Sequence, residues 1–567
     1  MKYPAGVIHP KFYAKWSPII TLNKAFFPKT TVFLLLTNLL LYLSYPPANM
    51  GYLAWIALVP LFLFAVSEKK YLSLNTLLIG AIFFFVQLSW MRYVTYIAWV
   101  LLSLYCSVYF LLFAVCVRCV ALKLKWPLTL AAPCLWAALE FIRSFFLSGF
   151  PWFFVGHTQY QWLPVIQISD ITGVYGISFI IVMVNAAIAD IILSVPALKN
   201  LFAVERYRAC LFPGRKLLFT GVICVLPVVA LLATLFYGFY RLKNYVPSDG
   251  PKVCLVQGNI PQDLKFESTE ADQVAILKKY FDLSKSAKDQ SIDLLVWPET
   301  MMPGILNIDP KLTNRKIDLL SQLTAVQLAQ DLSANLLIGG IALTLNGEQQ
   351  IYYNSAYHYN RQGSFVGRYD KIHLVPFGEF TPLKDYFPFL AGMVPYEIGL
   401  THGKDRTLFS LDTAANGHVT FGVSICYEDT VPSLMRRFRK DGAEFMLNIT
   451  NDGWFCDSAE LDQHLAIMVF RAVENRISLA RAANTGISAF VAPNGVIYDM
   501  LVDEQGKHRE ISGTLTNQVR AANQGVSIYT RCGDWFGILC AVISGALLIT
   551  AVFNIRLFSL DRRGKQT

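Results

Sequence analysis

The feature that most limits what this chain can fold into is a series of long, almost uncharged apolar runs. They lie at Thr30–Tyr45, Tyr52–Val66, Leu72–Trp90, Tyr96–Leu122, Leu128–Leu147, Ile177–Val195, Leu217–Tyr240 and Trp535–Ile555. A helix needs about 20 mostly apolar residues to cross the hydrocarbon core, and somewhat fewer when flanking side chains snorkel. Eight spans are therefore expected, the first two short enough to be an interfacial pair instead. With 54% hydrophobic and 16% charged residues, the chain is too apolar for one ordinary soluble domain. Residues 250–530 are of mixed composition, and "VPSDGP" at Val246–Pro251 reads as a linker. The expected organisation is a membrane domain over 1–245 with about seven spans, a globular domain over 246–531, and a last span with its tail over 532–567.

The net charge of +10 is topological rather than a nucleic-acid footprint, because no basic stripe carries interleaved aromatics. Basic residues gather at Lys2, Lys11, Lys15, Lys24 and Lys29, then at Lys69/Lys70, Lys123/Lys125, Arg206/Arg208/Arg215/Lys216 and Arg556/Arg562/Arg563/Lys565. These clusters alternate across consecutive spans. The positive-inside rule then puts both termini in the cytoplasm and the large domain outside. No cleavable signal peptide is evident, since the first apolar run lacks a small-residue cleavage site.

Several features carry little chemistry. Eleven cysteines form no disulfide framework, and most of them fall in or beside apolar helices. The lone C-x-x-C of Cys116 and Cys119 has neither a second pair nor nearby histidines, so a zinc or redox role is disfavoured. Asn448 opens a glycosylation sequon, a short and weak match. Glu140 and Arg143 share one face of the fifth apolar run, where they form either a structural ion pair or a polar patch for a lipid headgroup. Aromatic Trp152, Tyr160 and Trp162 follow, as in an interfacial belt.

In the globular part, short β-like runs alternate with helical stretches, the pattern of a layered α/β domain. Three polar residues stand at strand ends: Glu299 in "LLVWPET", Lys371 in "KIHLVPFGEF" and Cys426 in "VSICYE". Alone, Cys426 could fill a core, bind a metal or attack a substrate. A thiolate is the attacking form of cysteine, a carboxylate can take the proton, and an ammonium can stabilise an oxyanion. Together the three make a complete acyl-transfer set. No G-x-S-x-G, H-E-x-x-H or P-loop is present, so serine hydrolase, zincin and NTPase chemistries lack their residues. A Cys-His pair through His373 or His464 is less economical, and His373 would share a strand face with Lys371 if that segment is extended. Cys456 is an extra thiol that reads as a small loop residue.

The words "WPET", "YDKIHLVPFGEF" and "ICYED" resemble the Glu-Lys-Cys triad of the nitrilase, or carbon-nitrogen hydrolase, superfamily. "LVQGNIPQDLKF", "NDGWF", "DQHLAIMVFRAVENR" and "RAANTGISAFVAPNG" extend the resemblance. Such a domain set between seven spans and a last one, with "GFPWFFVGHTQY" in the membrane part, resembles the bacterial apolipoprotein N-acyltransferases over nearly the whole chain. The resemblance implies a polytopic α-helical membrane domain carrying an α/β nitrilase-like αββα sandwich. It implies Glu299 as general base and later acid, Lys371 as oxyanion stabiliser and Cys426 as acyl carrier. Glu379 would be an additional essential glutamate, Tyr427 and Glu428 would shape the pocket, and Trp152 would stand at the membrane entrance. The implied donor is a phospholipid, and the acceptor is the N-terminal amine of a diacylglyceryl-cysteine apolipoprotein. No metal or cofactor is implied. The location would be the bacterial inner membrane, with the globular domain on the periplasmic side. A membrane-tethered carbon-nitrogen hydrolase and a non-catalytic lipoprotein-binding protein are the alternatives. Phe266 stands where the resemblance leads one to expect tryptophan.

Overall fold

The computed structural model describes residues 27–67, 72–196, 216–266, 268–376, 378–380, 399–413, 417–522 and 525–564. Every expected apolar run is helical over its described residues, but the helices differ in reach. Among the described residues, four are long and apolar enough to cross a membrane: Tyr96–Leu124, Val174–Ser194, Ile223–Lys243 and Trp535–Phe553. The second expected span is broken, with a 3-10 turn at Gly51–Leu53 and separate helices at Ala54–Ala57 and Val59–Ser67. The expected span Leu128–Leu147 stops at Arg143, because the chain then turns through Leu147 and Ser148, both at positive φ.

Glu140 and Arg143 sit inside this bundle, nearly fully buried, and neither forms a close pair with the other nor meets solvent. Glu140 accepts from Trp136 Nε1 and from the backbone N–H of Val155, both at 2.8 Å. Arg143 donates to the carbonyls of Trp152 and Phe153 at 2.9 and 3.2 Å and lies over the rings of Phe84, Tyr109 and Phe154. The two charges clamp the 152–155 loop. They replace a headgroup patch with a structural brace, since a buried charge persists where its hydrogen-bonding capacity is met.

The globular part holds two six-stranded sheets. The strands are β1 (Pro247–Gln257), β2 (Leu294–Met302), β3 (Asn335–Asn346), β4 (Gln349–Tyr359), β5 (Phe365–Asp370), β6 (Leu408–Thr413), β7 (Gly417–Ile425), β8 (Phe445–Thr450), β9 (Ser478–Ala483), β10 (Ala489–Val491), β11 (Ile497–Met500) and β12 (Gly513–Ala522). One sheet runs β12-β1-β2-β3-β4-β5 and the other β11-β10-β9-β8-β7-β6. Each has three parallel central strands, β1-β2-β3 or β7-β8-β9, flanked by antiparallel ones.

Strand periodicity explains the layering. Leu255, Val296 and Leu337 face the second sheet with Val423, Leu447 and Ala480 in one core. Their neighbours Cys254, Leu295, Trp297 and Leu336 turn the other way, onto Ile276, Tyr280, Ala325 and Leu328 of helices Glu270–Lys285 and Lys316–Leu332. Helices Pro432–Asp441 and Glu460–Asn475 cover the second sheet's outer face. The result is an αββα sandwich.

The helix Glu460–Asn475 is buried along its whole length, because it also packs against the membrane part. Trp90 and Trp152 both donate to Gln463 Oε1, at 3.2 and 3.1 Å. Arg476 donates to Asp170 at 2.6 Å and to Gln167 at 2.7 Å.

Parallel strands direct their carboxyl ends toward one edge, where α/β folds place their sites. Close packing there depends on Gly339: a Cβ at this position would lie 2.2 Å from the Pro298 carbonyl oxygen and 2.8 Å from Glu299 Cα. Gly339→Ala is expected to destabilise by about 1–3 kcal/mol through overpacking and to displace Glu299. Thermal melting in detergent checks this, and a melting curve identical to wild type would show that β3 can yield.

Candidate active site

Pro298 has no N–H to give the ladder, and β2 leaves register there: it pairs through Trp297↔Ile338 and resumes at Met302↔Gly340. Thr300 adopts a φ of 52°, and the bulge turns Glu299 into the sandwich edge. Lys371 follows β5, its N–H donating to the Asn354 carbonyl and its carbonyl accepting from Gly403, both at 2.8 Å. Its Nζ donates to Glu299 Oε1 at 3.2 Å and to Glu379 Oε1 at 2.9 Å. Asn354 Nδ2 bridges the same two carboxylates at 2.7 and 2.9 Å. The second oxygens accept backbone N–H groups, Asn451 to Glu299 and Val375 to Glu379, each at 2.9 Å. With Lys371 1% exposed, Glu299 6% and Glu379 7%, these are buried charges. They persist because nearly every donor and acceptor is matched.

Cys426 begins the turn after β7 with a φ of 54°, the left-handed region that costs a non-glycine residue about 1–3 kcal/mol. Asn448 Nδ2 holds its carbonyl at 3.1 Å. This explains why the sequon is no attachment point: Asn448 is fully buried. Glu428, two residues on, ties the site together. Its carboxylate accepts from the N–H groups of Ile372, His373 and Ile425 at 2.7, 2.9 and 2.8 Å and from Tyr369 Oη at 2.9 Å. The lysine loop and the cysteine turn are thus fastened to one side chain, and burial pushes its carboxyl up to about 7.

The segment after Lys371 bends rather than continuing as a strand, so His373 does not share a strand face with the lysine. Its ring stacks on Tyr427 at 6.0 Å and its Nε2 lies 3.1 Å from the Ser148 carbonyl. Tyr427 in turn stacks parallel to Trp152 and donates to the Gly149 carbonyl at 3.2 Å. The membrane part therefore forms a wall of the site. Cys456 is exposed, and the adjacent Phe455 lines the site instead. The side chain of Phe266 lies outside the described residues.

Cys426 lies between two cavities. One, about 80 Å³, is lined by Glu299, Thr300, Lys371 and Glu379. The other, about 280 Å³, is walled by Trp90, Leu101, Leu102, Tyr105, Phe150 and Trp152, with Glu460 and His464 as its titratable side chains. Among the described residues, one group of side chains is spaced to hold a small cation: Asp452, Glu460 and His464, with polar atoms within 4.8 Å of one another. His464 Nε2 meets Asp429 Oδ1 at 2.7 Å, and Asp429 also pairs with the fully buried Arg481. Asn354, Asn451 and this Asp429–His464–Arg481 network were not singled out from the sequence. Their one signal there is a polar residue inside or just after an apolar run.

Residues 38–187 match the apolipoprotein N-acyltransferase N-terminal domain and residues 252–521 the carbon-nitrogen hydrolase domain. An apolipoprotein N-acyltransferase of Geobacter metallireducens is 34% identical over 91% of this chain and 94% of its own length. The chain belongs to the apolipoprotein N-acyltransferase family. Another relative so named, from Rhodopirellula baltica, is 27% identical over 87% of this chain and 92% of its own. Among solved structures, an amidase from Nesterenkonia sp. is 18% identical, with a TM-score of 0.34, and covers 49% of this chain and 93% of its own. Membership in this acyltransferase family makes the protein an enzyme, with a nitrilase-like sandwich joined to an apolar helical part.

For an acyltransferase of this family, the electrostatics set the resting state. Burial opposes the Lys371 charge, but the carboxylates of Glu299 and Glu379 outweigh it and hold the ammonium well above its ordinary range. Burial pushes the Cys426 thiol well up, the Glu299 carboxylate adds to this, and the Lys371 ammonium only partly offsets it. The resting cysteine is therefore protonated, and a base must take its proton as it attacks. Alkylation of Cys426 by a small neutral reagent should accordingly rise with pH only beyond 9. Glu299→Gln, which removes a negative neighbour, should move that midpoint down, and Lys371→Met should move it up. Mass spectrometry across pH reads the midpoints; one near neutrality in the wild type would mean a resting thiolate.

Proposed function

We propose that the enzyme moves a fatty acyl chain from a phospholipid to the N-terminal amine of a diacylglyceryl-cysteine lipoprotein, through a thioester on Cys426. The observation that carries this reading is the position of Cys426, the shared wall of a charged pocket and an apolar cavity built partly from the membrane helix Tyr96–Cys119. A soluble substrate has no use for such a cavity. Burial of a fatty chain gains about 0.8 kcal/mol per methylene.

In the first half-reaction Glu299 accepts the Cys426 proton as sulfur attacks the ester carbonyl. The oxyanion is stabilised by the Lys371 ammonium, and Glu299 returns the proton to the departing lysophospholipid oxygen. In the second, the acceptor amine attacks the thioester carbon, the C–S bond breaks, and Glu299 passes a proton from nitrogen to sulfur. Glu379 and Asn354 keep Lys371 and Glu299 in place, and Tyr427 and Trp152 form the wall on the membrane side. The globular part would face the periplasm, with both termini cytoplasmic, as the basic loops require.

Intact mass measurement after incubation with phospholipid is expected to show one added acyl group, absent in Cys426→Ser. Lys371→Ala should slow thioester formation by about 10²–10³ and Glu299→Gln by about 10²–10⁴. Cys456→Ser should stay within a few-fold of wild type. Triacylated lipoprotein appearing with no adduct ever formed would sink the thioester. An adduct that water resolves quickly and a lipopeptide amine does not would make the enzyme a hydrolase.

A further inference from the structure

The proposed acyl transfer leaves one proton without a destination. An α-amino group has a pKa of about 7.7–8.0, so near neutrality the acceptor arrives largely as an ammonium, which has no lone pair with which to attack. Glu299 serves the proton that passes from nitrogen to sulfur during attack. The proton lost before attack needs another acceptor, which a hydrolase using water would not require.

The 280 Å³ cavity beside Cys426 contains a candidate for that acceptor. Its lining is apolar except at one end, where Glu460 and His464 enter from the helix Glu460–Asn475. Glu460 is 2% exposed, and its Oε2 has no hydrogen-bond partner. Asp452, in the turn after β8, is equally buried, and its Oδ2 is also unpartnered. His464 Nδ1 lies 3.5 Å from Glu460 Oε1 and 3.6 Å from Asp452 Oδ1, too far for strong hydrogen bonds. Buried carboxylate oxygens left unpaired cost free energy unless a donor arrives. An ammonium presents three donors, and acceptors about 2.8–3.0 Å from its nitrogen stand about 4.7 Å apart, the scale of this cluster.

We propose that Glu460 and Asp452, braced by His464, receive the acceptor's α-ammonium beside Cys426, and that Glu460 takes the proton that frees the amine for attack. This rests on the acyl-transfer reading above. The step balances: one N–H bond of the ammonium breaks, its proton forms the Glu460 carboxylic acid, and the freed lone pair makes the new C–N bond. Glu460 releases the proton to water after the amide product leaves.

The surroundings suit the task. Burial and then the Asp452 carboxylate push Glu460 up to about 8, against the opposing His464 and Arg481 and with Asp429 adding to the rise. That value matches the amine, so the transfer is close to thermoneutral. His464 is held up to about 9 by Asp429 and Asp452 despite burial and Arg481, which leaves Asp452 compensated and Glu460 free to titrate.

The test is single-turnover aminolysis of preformed acyl-enzyme by a synthetic diacylglyceryl-cysteine peptide between pH 6 and 9, with thioester formation measured separately. Glu460→Gln is expected to lower aminolysis at pH 6.5 at least tenfold more than it lowers thioester formation. Its rate should climb with the free-amine fraction until the gap closes near pH 9. Glu460→Asp should keep the wild-type profile at a lower plateau. A wild-type pH profile in Glu460→Gln, or equal losses in both half-reactions at every pH, would overturn the proposal. Aminolysis abolished by a chelator and restored by one divalent ion per chain would assign the cluster to a metal instead. A wild-type enzyme that forms no thioester would remove the acyl-transfer reading itself, an outcome distinct from a thioester that forms and is aminolysed without Glu460.

Discussion

The arrangement around Cys426 depends on one buried ammonium held between two carboxylates. Lys371 could not stay charged at 1% exposure without Glu299 and Glu379, and two carboxylates could not share that space without Lys371. Asn354 and two backbone N–H groups match the remaining oxygens, so the charges are fixed in direction as well as number. A site of this kind is preorganised: the positive charge already stands where an oxyanion would form, and little has to reorient during reaction. The strained backbone at Thr300 and Cys426 belongs to the same design, since it aims side chains that a regular strand would direct elsewhere.

The three strand-end residues could be read from the sequence because each follows a run of apolar residues whose burial fixes the strand and hence its end. The supporting asparagines could not. Asn354 and Asn448 lie inside strands, where a lone amide looks like an interruption, and only the partner across the sheet or sandwich gives it a purpose. Strand β9, "SLARAA", was also hidden, for alanines favour helices and Arg481 argues against a core strand until Asp429 is placed opposite. Hydropathy located the apolar helices but overstated their reach: composition reports an apolar run, whereas the turn after Arg143 and the break before Val59 come from packing. The helix Glu460–Asn475 defeats periodicity altogether, since every side is covered and its charged residues face inward.

The brace of Glu140 and Arg143 has a consequence for what counts as the enzyme. These charges hold the loop that carries Trp152, Trp152 stacks on Tyr427, and Tyr427 is the residue next to the nucleophile. A chain of contacts thus runs from the interior of the apolar helices to the reacting sulfur. The sandwich cut away from those helices would lose a wall of its own chamber, and its Cys426 would face water from that side. The part embedded among lipids is therefore as much a portion of the catalytic body as the sandwich, and the smallest unit able to shelter the reaction comprises both.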